Sequence, residues 1–149
     1  MKTLYNTSDT AEVIKRINSL KPDAHPQWGK MNAGQMLTHC AIALEMGTGE
    51  KKFDRLFIGR VLGGFLKKFY SSEQPFKKNS PTDPHLVITD TRNFEQEKQK
   101  LITYINKFQA GGEEKCTRHP HPFFGKLSQA EWGIGMHKHL DHHLTQFGV

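Results

Sequence analysis

At 149 residues, the chain has the length of one domain with one core. Its 36% hydrophobic and 24% charged residues are those of a globular protein, which argues against a disordered or fibrous chain. The formal charge of +6 is local: residues 51–78 carry Lys51, Lys52, Arg55, Arg60, Lys67, Lys68, Lys77 and Lys78 against only Asp54 and Glu73.

A basic patch of this kind favours an anionic small molecule, a membrane surface or nucleic acid. A solvated helix face beside a loop accounts for the same charge. No recognised nucleic-acid motif accompanies the sequence pI of about 9.4. No apolar run approaches the roughly 20 residues that span a bilayer. The opening MKTLYNTSDTAEV lacks the apolar stretch of a signal peptide. Cys40 and Cys116 form no metal or redox spacing and suggest no disulfide framework, so the cytoplasm is the default location.

The first predicted helix runs from about Ser8 to Leu20, with Val13, Ile14, Ile17 and Leu20 on one stripe. It ends before Lys21-Pro22, because the residue preceding proline resists helical geometry. After the loop DAHPQWGKM, Asn32 is a good N-cap, and Gln35 completes an N-x-x-Q pattern close to a capping box. The second predicted helix runs from there to about Met46, where Gly47 stops it.

Residues 53–70 are amphipathic yet contain Gly59, Gly63 and Gly64, each costing roughly 1 kcal/mol relative to alanine inside a helix. The segment reads as a partly helical insertion whose small residues allow close packing. It could be a lid, an interface or a membrane-surface helix anchored by Phe53, Phe57, Phe65 and Phe69. SSEQPFKKNSPTDPHL is turn-rich.

The third predicted helix spans about Thr91 to Gln109 and ends at Gly111-Gly112, with Phe94, Leu101, Ile102, Ile105 and Phe108 facing inward. Ser128 and Glu131 form a full capping box for the fourth, which runs to about Phe147. Four strong helices without an alternating strand pattern predict an all-α four-helix bundle over residues 1–149, with the insertion between its second and third helices.

Histidines carry the functional signal. On the fourth helix Trp132, Met136, Leu140, Leu144 and Phe147 define the inward stripe, and His139 and His143 flank it four residues apart. Two imidazoles then project into one volume, as a transition-metal site requires. His39 lies seven residues beyond the Asn32 cap, roughly 10 Å along the second helix. Antiparallel packing with aligned ends puts all three at one level. His137 and His142 read as surface residues or as supports around the ligands. His119 and His121, some 15–30 Å away along the chain, shape an extended HPHP loop. A lone helical histidine is usually hydrogen-bonded or exposed. Three clustered in a bundle, however, need partners, and one cation satisfies them together. Gln35, Trp28 and Lys30 are candidates to line the site, with Trp28 better suited to plugging the core. Asp141 and Glu45 lie close in sequence to the ligands, and no motif positions either as a general base.

The stretch WGKMNAGQMLTH, Trp28 to His39, resembles the second-helix motif of the DinB/YfiT-like metalloenzyme superfamily. HLDHHLTQ, from His139 to Gln146, is similar to its C-terminal H-x-x-x-H-x-x-Q signature. NSPTDP, HPFFGKLSQAEWG and KHLDHHLTQFGV resemble one bacterial branch of it. The resemblance implies an up-down-down-up four-helix bundle, often dimeric, with His39, His139 and His143 on a divalent ion. Among that superfamily are S-transferases that use small cytosolic thiols, and a maleylpyruvate isomerase. The expected function is a metal-dependent enzyme, hydrolase-like or a thiol-dependent S-transferase, using zinc or nickel on a small molecule, with anionic and thiol-containing substrates as the candidates. The alternative is a non-catalytic metal-binding or stress-response interaction module.

Overall fold

The computed structural model describes residues 1–149 as five α-helices with no strand. They are α1 (Thr7–Ser19), α2 (Ala33–Gly47), α3 (Phe57–Tyr70), α4 (Phe94–Lys115) and α5 (Gln129–Gln146), with a short 3-10 turn at Pro84–Leu86. No helix is long and apolar enough to cross a membrane.

Helix starts follow local side-chain chemistry. The Asn6 side chain accepts from the Ser8 and Asp9 amides and opens α1 one residue earlier than its apolar stripe suggests. At α2 both halves of a capping box form: the Gln35 amide nitrogen donates to Asn32 Oδ1 at 2.9 Å, and the Asn32 amide donates to Gln35 Oε1 at 3.0 Å. Ser128 and Glu131 do the same for α5. α4 starts at an Asn93 cap, later than Thr91. The predicted stop at Gly111-Gly112 appears as a break at Gly112, with φ of 58°, after which a last turn continues to Lys115.

Burial decides the arrangement. Every residue of α2 except Gln35 is buried, so this helix is covered all round and forms the centre. α4 and α5 pack on it, α1 packs on α4 and α5, and α3 rests on α5. The buried apolar side chains make one cluster of 25 residues, including Leu37, Leu44, Leu101, Ile105, Trp132, Met136 and Leu140. His39 is thereby placed in the middle of the molecule, 2% exposed.

The 53–70 segment resolves into the continuous helix α3, preceded by non-helical residues from Phe53 to Leu56. Its glycines act by absence: a Cβ on Gly63 would come within 1.9 Å of the Phe123 carbonyl oxygen, and one on Gly59 within 2.6 Å. At the other end Tyr70 lies over Gly135 of α5, where a Cβ would meet its ring at 1.9 Å. One expectation needs correcting. His137, expected near the surface, is buried on α5, and burial lowers its pKa, with Asp141 and Asp9 opposing.

Candidate metal centre

α2 and α5 bring His39, His139 and His143 together. One ligand-competent atom of each lies within 4.8 Å of the other two. The ring centroids are 4.9 Å apart for His39 and His139, 4.6 Å for His39 and His143, and 4.7 Å for His139 and His143. A tetrahedral ion with bonds of about 2.0 Å holds its nitrogens roughly 3.3 Å apart, which the cluster reaches with small ring rotations.

The surrounding hydrogen bonds select one tautomer for two of the rings. His39 Nδ1 donates to the Leu86 carbonyl oxygen at 2.9 Å. His143 Nδ1 donates to Gln146 Oε1 at 2.8 Å. The Gln146 amide is itself oriented, because its nitrogen donates to the Trp28 carbonyl at 2.6 Å. A ring that gives up its Nδ1 hydrogen to a fixed acceptor presents a bare lone pair on Nε2, which is how ligating histidines are prepared.

His39 Nε2 and His139 Nε2 are 2.9 Å apart. With His39 Nε2 bare, a neutral His139 in its Nε2–H tautomer donates across that distance, and a cation between the rings would take the place of that proton. A charged imidazolium is disfavoured here. Burial pushes His39 below its usual range, against the Leu86 carbonyl, and pushes His143 down to about 3, aided by His39. Burial also holds His139 well below, with His143 and His39 adding to the effect. Three neutral imidazoles sharing one volume are a donor set that can hold a metal ion. His139 is the least buried of the three.

The other residues singled out in the sequence are distributed unevenly. Gln35 has its amide engaged by the α2 capping box and by the Asp90 carbonyl at 3.2 Å, away from the imidazoles. Lys30 is exposed. Trp28 flanks the cluster through His142, with ring centroids 5.5 Å apart, and its indole N–H is buried without an acceptor. Asp141 pairs with Arg16 of α1, and Glu45 is held by Lys51 and Lys100 at 2.8 Å each. Neither carboxylate joins the site.

Several neighbours surround the cluster, among them His142, which the sequence offered as a surface residue or a support. His142 packs edge-on to His143 at 5.1 Å and against Phe76 at 5.9 Å, and the Lys78 ammonium lies 4.4 Å over the Trp28 ring. The signal for Gln146 was present, since a residue three positions after His143 shares its helix face. The Leu86 carbonyl had none, as a backbone acceptor from an irregular segment leaves no side-chain pattern. His121 is not among the three clustered rings and lies tilted against Tyr70, Phe124 and Trp132. Its Nδ1 accepts from the Phe123 and Phe124 amides at 3.1 and 3.3 Å and pins the HPHP turn.

No curated protein and no solved structure matches the chain. A family model described as "Protein of unknown function (DUF1569)" matches residues 2–148, nearly the whole length, and the chain belongs to that family.

Proposed function

We propose that this protein is a metal-dependent enzyme acting on a small molecule, hydrolase-like or thiol-transferring, with His39, His139 and His143 as ligands to zinc or nickel. The observation that supports it most is the prepared state of the rings: His39 and His143 each spend Nδ1 on a fixed acceptor and keep Nε2 for a ligand. A structural zinc site is usually closed by four protein ligands, whereas three leave room for an outside one. A divalent ion so held supplies Lewis acidity and lowers the pKa of a coordinated water or thiol.

The chain's own groups give the site its character. Burial around His39 excludes bulk water. The Trp28 ring and Lys78 ammonium flank the cluster as an aromatic and cationic pair suited to an anionic or thiol-bearing molecule. The DinB/YfiT resemblance of the Trp28–His39 and His139–Gln146 stretches supports the same ligand set and the same pair of reaction classes. An all-nitrogen donor set suits zinc and nickel alike.

The test is an activity screen on metal-loaded and chelated protein, covering chromogenic esters and the conjugation of small thiols to an aryl halide. Turnover that requires the ion and disappears in His39→Ala supports an enzyme. Full metal loading with no turnover across both panels favours the non-catalytic binding module instead.

A further inference from the structure

α3 is an inside-out helix. At about 100° per residue, its buried residues Gly59, Gly63 and Tyr70 fall on one side. Phe57, Val61, Phe65 and Ile58 point away from it, with Phe69 and Leu62 on one flank, all exposed, Phe57 at 83% and Phe65 at 65%. A surface helix ordinarily turns its apolar stripe to the core. Here the glycines rule that orientation out, because the close approach to the Phe123 carbonyl leaves no space for larger side chains. The apolar face is therefore held outward by the packing.

Charge identifies what suits that face. α3 contains Arg60, Lys67 and Lys68 and no acidic residue. Lys67 is occupied by Glu131 at 3.0 Å, which leaves Arg60 beside the apolar sector and Lys68 just within its edge, its ammonium 5.4 Å from the Phe65 ring centroid and long enough to reach outward. A second copy of this chain would oppose these cations with identical ones. An anionic lipid surface would pair with them and take up the aromatic side chains in the same contact. Fourteen residues span only about 21 Å, short of the roughly 30 Å hydrocarbon core, so such a helix lies in the interface.

We infer that α3 docks this protein on an anionic phospholipid surface, with Phe57, Val61, Phe65 and Phe69 inserted at the acyl boundary and Arg60 and Lys68 on the headgroups. The docking helix is tied to the histidine-bearing one: Lys138, adjacent to His139 on α5, donates to the carbonyls of Phe69 and Ser72. Attachment to a bilayer would then fix the orientation of the histidine cluster to that surface. The inference does not depend on the cluster's holding a metal.

Co-sedimentation of the full chain with vesicles of phosphatidylcholine alone, or mixed with phosphatidylglycerol, tests it. Binding is expected to the mixed vesicles and to weaken with added salt. The double variant Phe57→Ser/Phe65→Ser alters only exposed side chains and is expected to lose about tenfold or more in partitioning, with an unchanged circular dichroism spectrum. Arg60→Glu/Lys68→Glu is expected to lose about fivefold or more on mixed vesicles only. No binding to the mixed vesicles, equal binding to neutral ones, or indifference to both variants would overturn the inference. So would a self-association abolished by Phe57→Ser/Phe65→Ser in a chain that ignores vesicles, since the face would then belong to a second copy.

Discussion

His143 Nδ1 donates to Gln146 Oε1 across 2.8 Å, one helical turn further along α5. The Gln146 amide cannot turn over, because its nitrogen is committed to the Trp28 carbonyl. Gln146 is thus a positioning residue, acting on the histidine cluster through His143. Gln146→Leu is expected to weaken zinc affinity by about 10–100-fold, measured by competition with a chromogenic chelator. Gln146→Glu keeps an acceptor for the ring and should recover much of that loss. Equal affinities for Gln146→Leu and the parent would show that the contact does not tune the ligand.

Neighbouring glycines in α3 should respond with opposite signs. A Cβ at position 63 overlaps a backbone carbonyl, whereas one at position 64 meets nothing within 4 Å. Gly63→Ala is expected to destabilise the protein by about 1–3 kcal/mol, since rigid backbone must move. Gly64→Ala is expected to stabilise it by up to about 1 kcal/mol through helix propensity. Urea denaturation reads both, and a neutral Gly63→Ala would mean that α3 does not pack as described.

Much of this arrangement could be read from the chain. Asn32 with Gln35 and Ser128 with Glu131 announced two helix starts through chemistry confined to four residues. The spacing of His139 and His143 placed two rings on one face. Bringing His39 to them needed the tertiary packing of α2, which periodicity indicates weakly because that helix is buried all round. His137 was misjudged for a related reason: α5 is covered on more sides than its strongest apolar stripe marks. The outward apolar face of α3 was one of the readings left open for residues 53–70, since amphipathicity in a sequence has no direction relative to the core.

Acid should destabilise the fold before carboxylates titrate. Unfolded histidine takes up a proton near 6.5, while burial pushes His121 down to about 4, against Asp83 and helped by Arg55. Its Nδ1 accepts from two amides, an arrangement that protonation would destroy. Between these values the unfolded chain binds more protons than the folded one. Stability from this residue is therefore complete above about pH 6.5, falls as the pH drops from there to about 4, and has lost roughly 3 kcal/mol below that. Chemical denaturation of metal-free protein at successive pH values should show that slope, with a shallower one in His121→Gln. A flat profile between pH 7 and 4.5 would contradict the assignment.

A ligand that binds only the folded state raises its stability by mass action, about 2.7 kcal/mol at a hundredfold excess over Kd. Zinc or nickel should accordingly raise the melting temperature of the parent protein, and a chelator should reverse the rise. The His39→Ala variant should show neither response. A shift of the same size in that variant would place the bound ion elsewhere.

Metal content of protein purified without a histidine tag tests the central claim most directly. The parent chain, loaded with zinc or nickel and passed through a desalting column, is expected to retain close to one ion per chain. His39→Ala, His139→Ala and His143→Ala should each lose it while remaining helical. A parent chain that emerges empty, or three variants that keep the full complement, would contradict the account.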